Sequence, residues 1–115
     1  MIVVAPSPAT TSGANGTAAE VVTAPPAPLL SVVVVTYNVR PLLQRCLRAV
    51  FASRAPFDFE VCVVDTGTDG SAAMVRAGFP TAAVVEAPHN PGFAAASNLG
   101  LRHSRGRYCL LLNPD

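Results

Sequence analysis

The sequence predicts an α/β fold, a Rossmann-like parallel sheet with helices on both faces, and three observations carry the prediction. Apolar, largely β-branched runs recur at Leu30–Thr36 (LSVVVVT), Phe59–Asp65 (FEVCVVD), residues 81–86 (TAAVVE) and Tyr108–Leu112 (YCLLL). Stretches of helical character separate them, so the order reads β-α-β-α-β-α-β. The runs are apolar at consecutive positions rather than alternating, the pattern of strands covered on both faces. Such an order closes as a parallel sheet with right-handed crossovers.

Residues 1–28 hold five of the eleven prolines, a single charge (Glu20) and no hydrophobic period, which predicts a disordered leader before one domain at 29–115. The first strand, 30–36, is followed by Pro41, which suits a first helical turn where no amide proton is needed. Leu42, Leu43, Cys46, Leu47, Val50 and Phe51 then repeat at helical spacing, with Gln44, Arg45 and Arg48 opposite, and the helix is expected to end near Arg54 before Ala55-Pro56. Strand 59–65 runs into the turn cluster TGTD at 66–69. A short helix over about 70–77 turns Met74 and Val75 inward, and 81–86 forms a weaker third strand. A small-residue helix over 93–103 brings Ala94, Ala95 and Ala96 into close packing, and strand 108–112 leads into Asn113-Pro114-Asp115.

Half of the residues are hydrophobic and 13% are charged, an apolar balance whose surface needs cover. A domain of this size buries roughly 60–65% of the surface of its unfolded chain, so its stability is expected to be marginal. The longest nearly unbroken apolar run, 29–35, is far short of the roughly 20 residues of a membrane-spanning helix, and the first five residues lack the basic region of a signal peptide. The expected location is the cytoplasm. The net charge is +1, and the eight arginines are scattered, which speaks against a nucleic-acid partner; Arg102, Arg105 and Arg107 decorate a helix end. Cys46, Cys62 and Cys109 show no paired spacing and read as small buried hydrophobes in a reduced compartment. His89 and His103 lie far from them, so metal chemistry falls to carboxylates.

Open parallel sheets bind ligands beyond the carboxyl ends of their strands. Those ends carry Thr36, Tyr37 and Asn38, then Asp65 and Thr66, then Asn113 and Asp115. The first turn, TYNVRP, has no glycine and so cannot wrap a pyrophosphate in backbone amides as dinucleotide or P-loop motifs do. It offers hydroxyls, an amide and a phenol ring able to pack on a flat base, or else Thr36 and Asn38 cap the following helix. Asp65 either accepts hydrogen bonds from a base imide or ribose, or starts an Asx turn into Thr66-Gly67. Asp69 reads as the N-cap of the short helix. Without a glycine loop, a diphosphate is neutralised by Mg²⁺ or Mn²⁺ held by one or two carboxylates such as Asp115, an ion that also assists a departing diphosphate.

Four blocks, SVVVVTYN (31–38), EVCVVDTGTDGS (60–71), HNPGFAAASNLGL (89–101) and GRYCLLLNPD (106–115), together resemble the amino-terminal half of inverting family 2 glycosyltransferases, especially the rhamnosyltransferase-like branch. The resemblance implies a GT-A fold whose first half binds a UDP-, dTDP- or GDP-sugar. By position it implies that Thr36 and Tyr37 form the base-side wall and that Asp65 belongs to the aspartate cluster on base and ribose. Asn113-Pro114-Asp115 stands for the family's DxD motif, with Asp115 on the metal. Asn90, Gly92 and Asn98 match the NxGxxxxxN pattern lining the donor pocket, where Gly92 either permits close backbone approach or is a plain helix-entry glycine. The 65–71 block is one residue shorter than the usual form, Thr66 stands where many members carry Asp or Asn, and Pro114 stands where many carry a carboxylate. The resemblance also puts the acceptor site and the catalytic aspartate beyond Asp115. No general base is therefore expected within these residues, and the chain alone is expected to be inactive. The full-length form is expected to transfer a sugar to a glycan or lipid-linked acceptor, in the cytoplasm or peripherally at the inner membrane face. Two other readings are a noncatalytic nucleotide-sugar-binding module or decayed fragment, and an unrelated Rossmann-like domain with metal-independent ligand affinity.

Overall fold

The computed structural model describes residues 2–6, 27–87 and 89–114. Its elements run β1 (Ile2–Pro6), β2 (Leu30–Thr36), α1 (Arg40–Ala52), β3 (Phe59–Asp65), α2 (Ser71–Gly78), β4 (Ala83–Glu86), α3 (Phe93–Arg102) and β5 (Tyr108–Leu112). The sheet order is β1-β5-β2-β3-β4, with β5, β2, β3 and β4 mutually parallel. The two β-branched runs are central, as consecutive apolar positions require. Val32, Val33, Val34, Val61, Cys62, Val63 and Val64 are all buried.

One expectation needs correcting. The leader was expected to lack structure through residue 28, yet Ile2–Pro6 pairs antiparallel with β5, Ile2 opposite Leu112 and Pro6 opposite Tyr108. The β-branched IVV segment suits a strand, an unpaired β5 edge would expose a row of backbone donors and acceptors, and proline is tolerated at an edge. Residues 7–26, the rest of the expected leader, lie outside the described residues.

Strand alternation divides the core in two. Val32, Val34, Val61 and Val63 face Leu43 and Leu47 of α1 and Val75 of α2, with Met74 half-buried beside them. Val33, Cys62 and Val64 face α3 through Ala96, with Leu99 alongside. The predicted apolar face of α1 is only partly used: Leu43 and Leu47 are buried, whereas Leu42 and Phe51 are more than a third exposed. Phe51 stacks on Phe79 with ring centroids 5.5 Å apart. Beside α1 an apolar hollow of about 300 Å³ remains, bordered by Val50, Phe57, Leu110 and Leu112.

Helix α3 packs on the sheet through only one of the three predicted alanines, Ala96. Ala94 and Ala95 are exposed. Gly100 makes a close approach, because a Cβ there would collide with Val33 Cγ1 and stand 3.1 Å from Val64 Cγ2. Arg102 lies in the last turn of α3, where a cation favours the helix dipole. At the amino ends of the strands, Ser31 Oγ donates to Glu60 Oε2 at 2.5 Å, while the Gly106 and Arg105 amides donate to Ser31 Oγ and Glu60 Oε2 at 2.7 and 2.6 Å. This cluster pins the α3–β5 turn at the end opposite the polar strand termini. Burial, followed by the nearby Glu60 carboxylate, pushes the Cys62 thiol up to about 11, and burial also raises Cys46, so both behave as small hydrophobes. Among the described residues no helix is long and apolar enough to cross a membrane.

Candidate functional site

Because β2, β3, β4 and β5 are parallel, their carboxyl-end loops gather at one rim. Two hollows open there. The first, about 270 Å³, is lined by Tyr37, Thr66, Asn90, Gly92, Asn113 and Pro114, six of the residues singled out in the sequence. Val35, Val39 and Phe93 complete it. The second, about 450 Å³, is bordered by Asp65, Thr66, Gly67, Thr68, Glu86 and His89. Thr66 belongs to both.

Three of the described sequence candidates stand elsewhere. Thr36 shares by alternation the face of Val32 and Val34, is 1% exposed, and its hydroxyl has no hydrogen-bond partner among the described residues. Its carbonyl, however, accepts both the amide and the hydroxyl of Thr66, at 2.9 and 2.8 Å. Asn38 adopts φ 51° and its Oδ1 accepts the Thr68 amide at 2.8 Å, reaching into the neighbouring loop rather than capping its own helix. Asn98 is exposed on α3 and borders neither hollow. Asp115, the expected metal ligand, lies outside the described residues.

Asp65 starts the Asx turn weighed for it and also borders the second hollow. Its Oδ1 accepts the Gly67 amide at 3.0 Å, the expected Asx turn. Its Oδ2 accepts the buried Ala72 amide at 3.1 Å, binding the turn to the first turn of α2 while the carboxylate still borders the second hollow. Each carboxylate oxygen has a further lone pair, so the backbone bonds leave acceptor capacity for a ligand.

Asp69 is not the expected N-cap of α2, a position that Gly70 takes with a left-handed φ of 83°, but its carboxylate bonds at the starts of two helices from one residue earlier. Its Oδ1 accepts the Ser71 hydroxyl and amide at 2.7 and 3.2 Å, and its Oδ2 accepts the Arg40 amide at 2.9 Å. Arg40 opens α1, whose own N-cap Val39 supplies no side-chain bond, so one carboxylate serves two helix starts. Partial burial pushes this carboxyl up, but the Ser71 hydroxyl and the Arg40 and Ser71 amides outweigh it and hold the group below its ordinary 3.8. A carboxyl lowered on folding stabilises the fold fully above its unfolded value, and that contribution is lost as pH falls through the folded value. Melting temperature is therefore expected to fall more steeply below about pH 4 in the natural chain than in Asp69→Asn. Equal pH slopes for the two in a melting series from pH 6 to 3 would refute this.

Gly92 opens α3 with φ 98° and ψ 161°, a conformation essentially confined to glycine, and no atom lies within 4 Å of where a Cβ would stand. Its requirement is therefore conformational, and the space beside it is open to a ligand. His89 and Asn90 also have positive φ, at 69° and 39°, so the loop before α3 holds a tightly specified path. The sequence reading missed Phe93, which is 53% exposed at the cleft beside the 54% exposed Tyr37. Its signal was an aromatic placed directly after the helix-opening glycine, on a face the helical pattern did not need.

Among the described residues no group of three His, Cys, Asp or Glu side chains could hold a metal ion.

The sequence profile of Glycosyl transferase family 2 matches residues 31–115. The chain belongs to this family. Relatives of the family 2 chain include the glycosyltransferase AglE of Haloferax volcanii, 31% identical over 93 residues, covering 76% of this chain and 31% of the relative. The uncharacterized glycosyltransferase EpsJ of Bacillus subtilis is 30% identical over 91 residues, covering 76% and 26%. The chain thus spans about a third or less of the curated relatives it matches. Among solved structures, the mannosyltransferase PcManGT of Pyrobaculum calidifontis, in complex with GDP-Man and Mn²⁺, superposes with a TM-score of 0.65 at 33% identity, covering 78% of this chain and 28% of that one. TarS of S. aureus gives 0.61 at 26% identity, covering 75% and 16%. These likenesses place the α/β fold of this family 2 chain with the GT-A-like glycosyltransferases.

Proposed function

We propose that the rim binds the nucleotide-diphosphate part of a sugar donor together with Mg²⁺ or Mn²⁺, as the donor-side portion of an inverting glycosyltransferase. The observation that carries the reading is the convergence, in one cleft, of residues from four separate sequence blocks: Tyr37, Thr66, Asn90 with Gly92, and Asn113 with Pro114. In this reading Tyr37 packs on the base, and Asp65 accepts hydrogen bonds from base or ribose. Asn90 and the open backbone at Gly92 serve the sugar diphosphate, whereas Asn98, outside both hollows, is given no contact with it. Asn113-Pro114-Asp115 lies at the phosphates, Asp115 holding the ion. Thr36 and Asn38 contribute through the loops they hold. A bound divalent ion supplies charge neutralisation for the departing diphosphate.

The GDP-Man and Mn²⁺ complex of PcManGT supports a nucleotide-sugar donor and a divalent ion for this chain. The rhamnosyltransferase-like sequence blocks support a deoxyhexose or hexose as the transferred sugar. The acceptor is a glycan or lipid-linked glycan, met through the part of the enzyme that carries the general base, at the cytoplasmic face of the membrane.

Titration calorimetry with UDP, dTDP and GDP, each with and without MnCl₂, tests the reading. One nucleotide is expected to bind only with Mn²⁺, and to lose at least tenfold in affinity in Tyr37→Ala or Asp115→Ala. Metal-independent affinity would favour an unrelated Rossmann-like binder, and no affinity for any nucleotide would favour a decayed fragment.

A further inference from the structure

We infer that Asn38 and Asp69 are positioning residues, forming a clasp that locks the β2–α1 loop against the β3–α2 loop and so sets the spacing of the Tyr37 and Thr66 walls. The inference rests on the donor-binding reading of the cleft and adds what holds that cleft in shape. Four hydrogen bonds cross between the loops. The Thr66 amide and hydroxyl both reach the Thr36 carbonyl, Thr68 N donates to Asn38 Oδ1 at 2.8 Å, and Arg40 N donates to Asp69 Oδ2 at 2.9 Å. Three of the donors lie after β3 and the fourth, Arg40 N, opens α1, so bonds run in both directions across the seam.

The loops also meet at Gly67, which packs against both the side chain and the backbone of Asn38. A Cβ on Gly67 would overlap Asn38 Oδ1 and stand 2.7 Å from the Asn38 amide nitrogen. Gly67 is thus required by contact with the neighbouring loop. Asn38 is chosen on two counts: asparagine tolerates the left-handed φ of 51°, and its amide oxygen reaches the Thr68 amide. Tyr37 sits directly between the clasped Thr36 and Asn38, its ring exposed at the cleft. An exposed aromatic has little packing of its own to fix its position, so the backbone on either side of it must do so. Across the cleft, Thr66 is held by its two bonds to Thr36.

Two substitutions separate the clasp from the backbone conformation. Asn38→Gly keeps access to positive φ but removes the acceptor, and Asn38→Asp keeps an acceptor oxygen at the same reach. In the full chain, Asn38→Gly is expected to speed hydrogen exchange of the Thr68 amide and to weaken binding of the best nucleotide with Mn²⁺ about three- to tenfold, the value of one hydrogen bond. Its melting temperature is expected to stay within a few degrees of wild type, and Asn38→Asp to restore both readouts. Asp69→Asn provides a second variant, with faster exchange at Arg40 and the same direction in affinity. Unchanged Thr68 exchange in Asn38→Gly would overturn the clasp. Faster exchange with unchanged affinity would overturn its positioning role. A wild-type chain that binds no nucleotide while its Thr68 amide stays protected would instead overturn the donor-binding reading, and the positioning role with it.

Discussion

Asp65→Ala is expected to lower the unfolding free energy by about 2–4 kcal/mol, because it removes the acceptor from two backbone amides at once. Asp65 is 5% exposed, and its two oxygens hold Gly67 N and Ala72 N. The Ala72 amide is buried with its residue, so water cannot replace the lost partner there, and an unsatisfied buried donor bears its full desolvation cost. Gly67 is partly open to solvent, so its amide recovers part of the loss. Two carboxylates, Asp65 and Asp69, also face the first amides of α2, where negative charge favours the helix dipole, and the substitution deletes one of them. Asp65→Asn is expected to fall between wild type and alanine, since its amide group places a donor against one of the two N–H groups. Urea denaturation of the three proteins measures this. A loss of under about 0.5 kcal/mol for alanine would show that the turn does not depend on the carboxylate, and nucleotide affinity is expected to fall with stability.

Gly100→Ala is expected to cost about 1–3 kcal/mol and to loosen the cleft from a distance. The added methyl would overlap Val33 Cγ1 and crowd Val64 Cγ2 at 3.1 Å, and both valines are fully buried in central strands. Valine is stiff at χ1, so neither side chain turns aside cheaply, and α3 must move off the sheet. For a domain of this size each kcal/mol lowers the melting temperature by roughly 4–8 °C. The helix carries Phe93 at its first turn and follows Gly92, so its displacement moves one wall of the 270 Å³ cleft. The compensating substitution is Val33→Ala, which removes the methyl groups in the way. The double variant is expected to melt above Gly100→Ala, and additive losses would show that α3 does not rest on this contact.

Much of the fold was legible in the residues. The boundaries of β2, β3 and β5 matched the apolar runs, because a strand buried on both faces must be continuously apolar and polar residues mark where burial stops. The helices were legible to within two residues, since Pro41 and the Leu43–Leu47 spacing state both phase and start. The third strand was shorter than expected, Ala83–Glu86, because Thr81 and Ala82 lie in the turn after α2. What escaped was non-local. The pairing of Ile2–Pro6 with β5 joins residues over a hundred positions apart, and a proline-rich context hides a five-residue strand. The close approach at Gly100 also escaped, because a residue without a side chain leaves no apolar signal, and of the conspicuous alanines only Ala96 is buried.

The candidate site divides in the same way. Residue chemistry alone nominated the strand-end hydroxyls, amides and carboxylates, and the block order pointed to a family the profile match then showed. Periodicity was enough to place the rim, because a parallel sheet sends all its carboxyl ends to one side whatever the loops contain, whereas the family rested on the four motif blocks. Which polar groups face a ligand and which hold the loops was decided only by the tertiary structure. Strand alternation turned Thr36 away from the cleft, Asn38 and Asp69 were drawn into the neighbouring loop, and Phe93 was left exposed at the opening. Side-chain type states what a residue can bond to, and only the approach of distant segments determines which partner comes within a hydrogen bond's length.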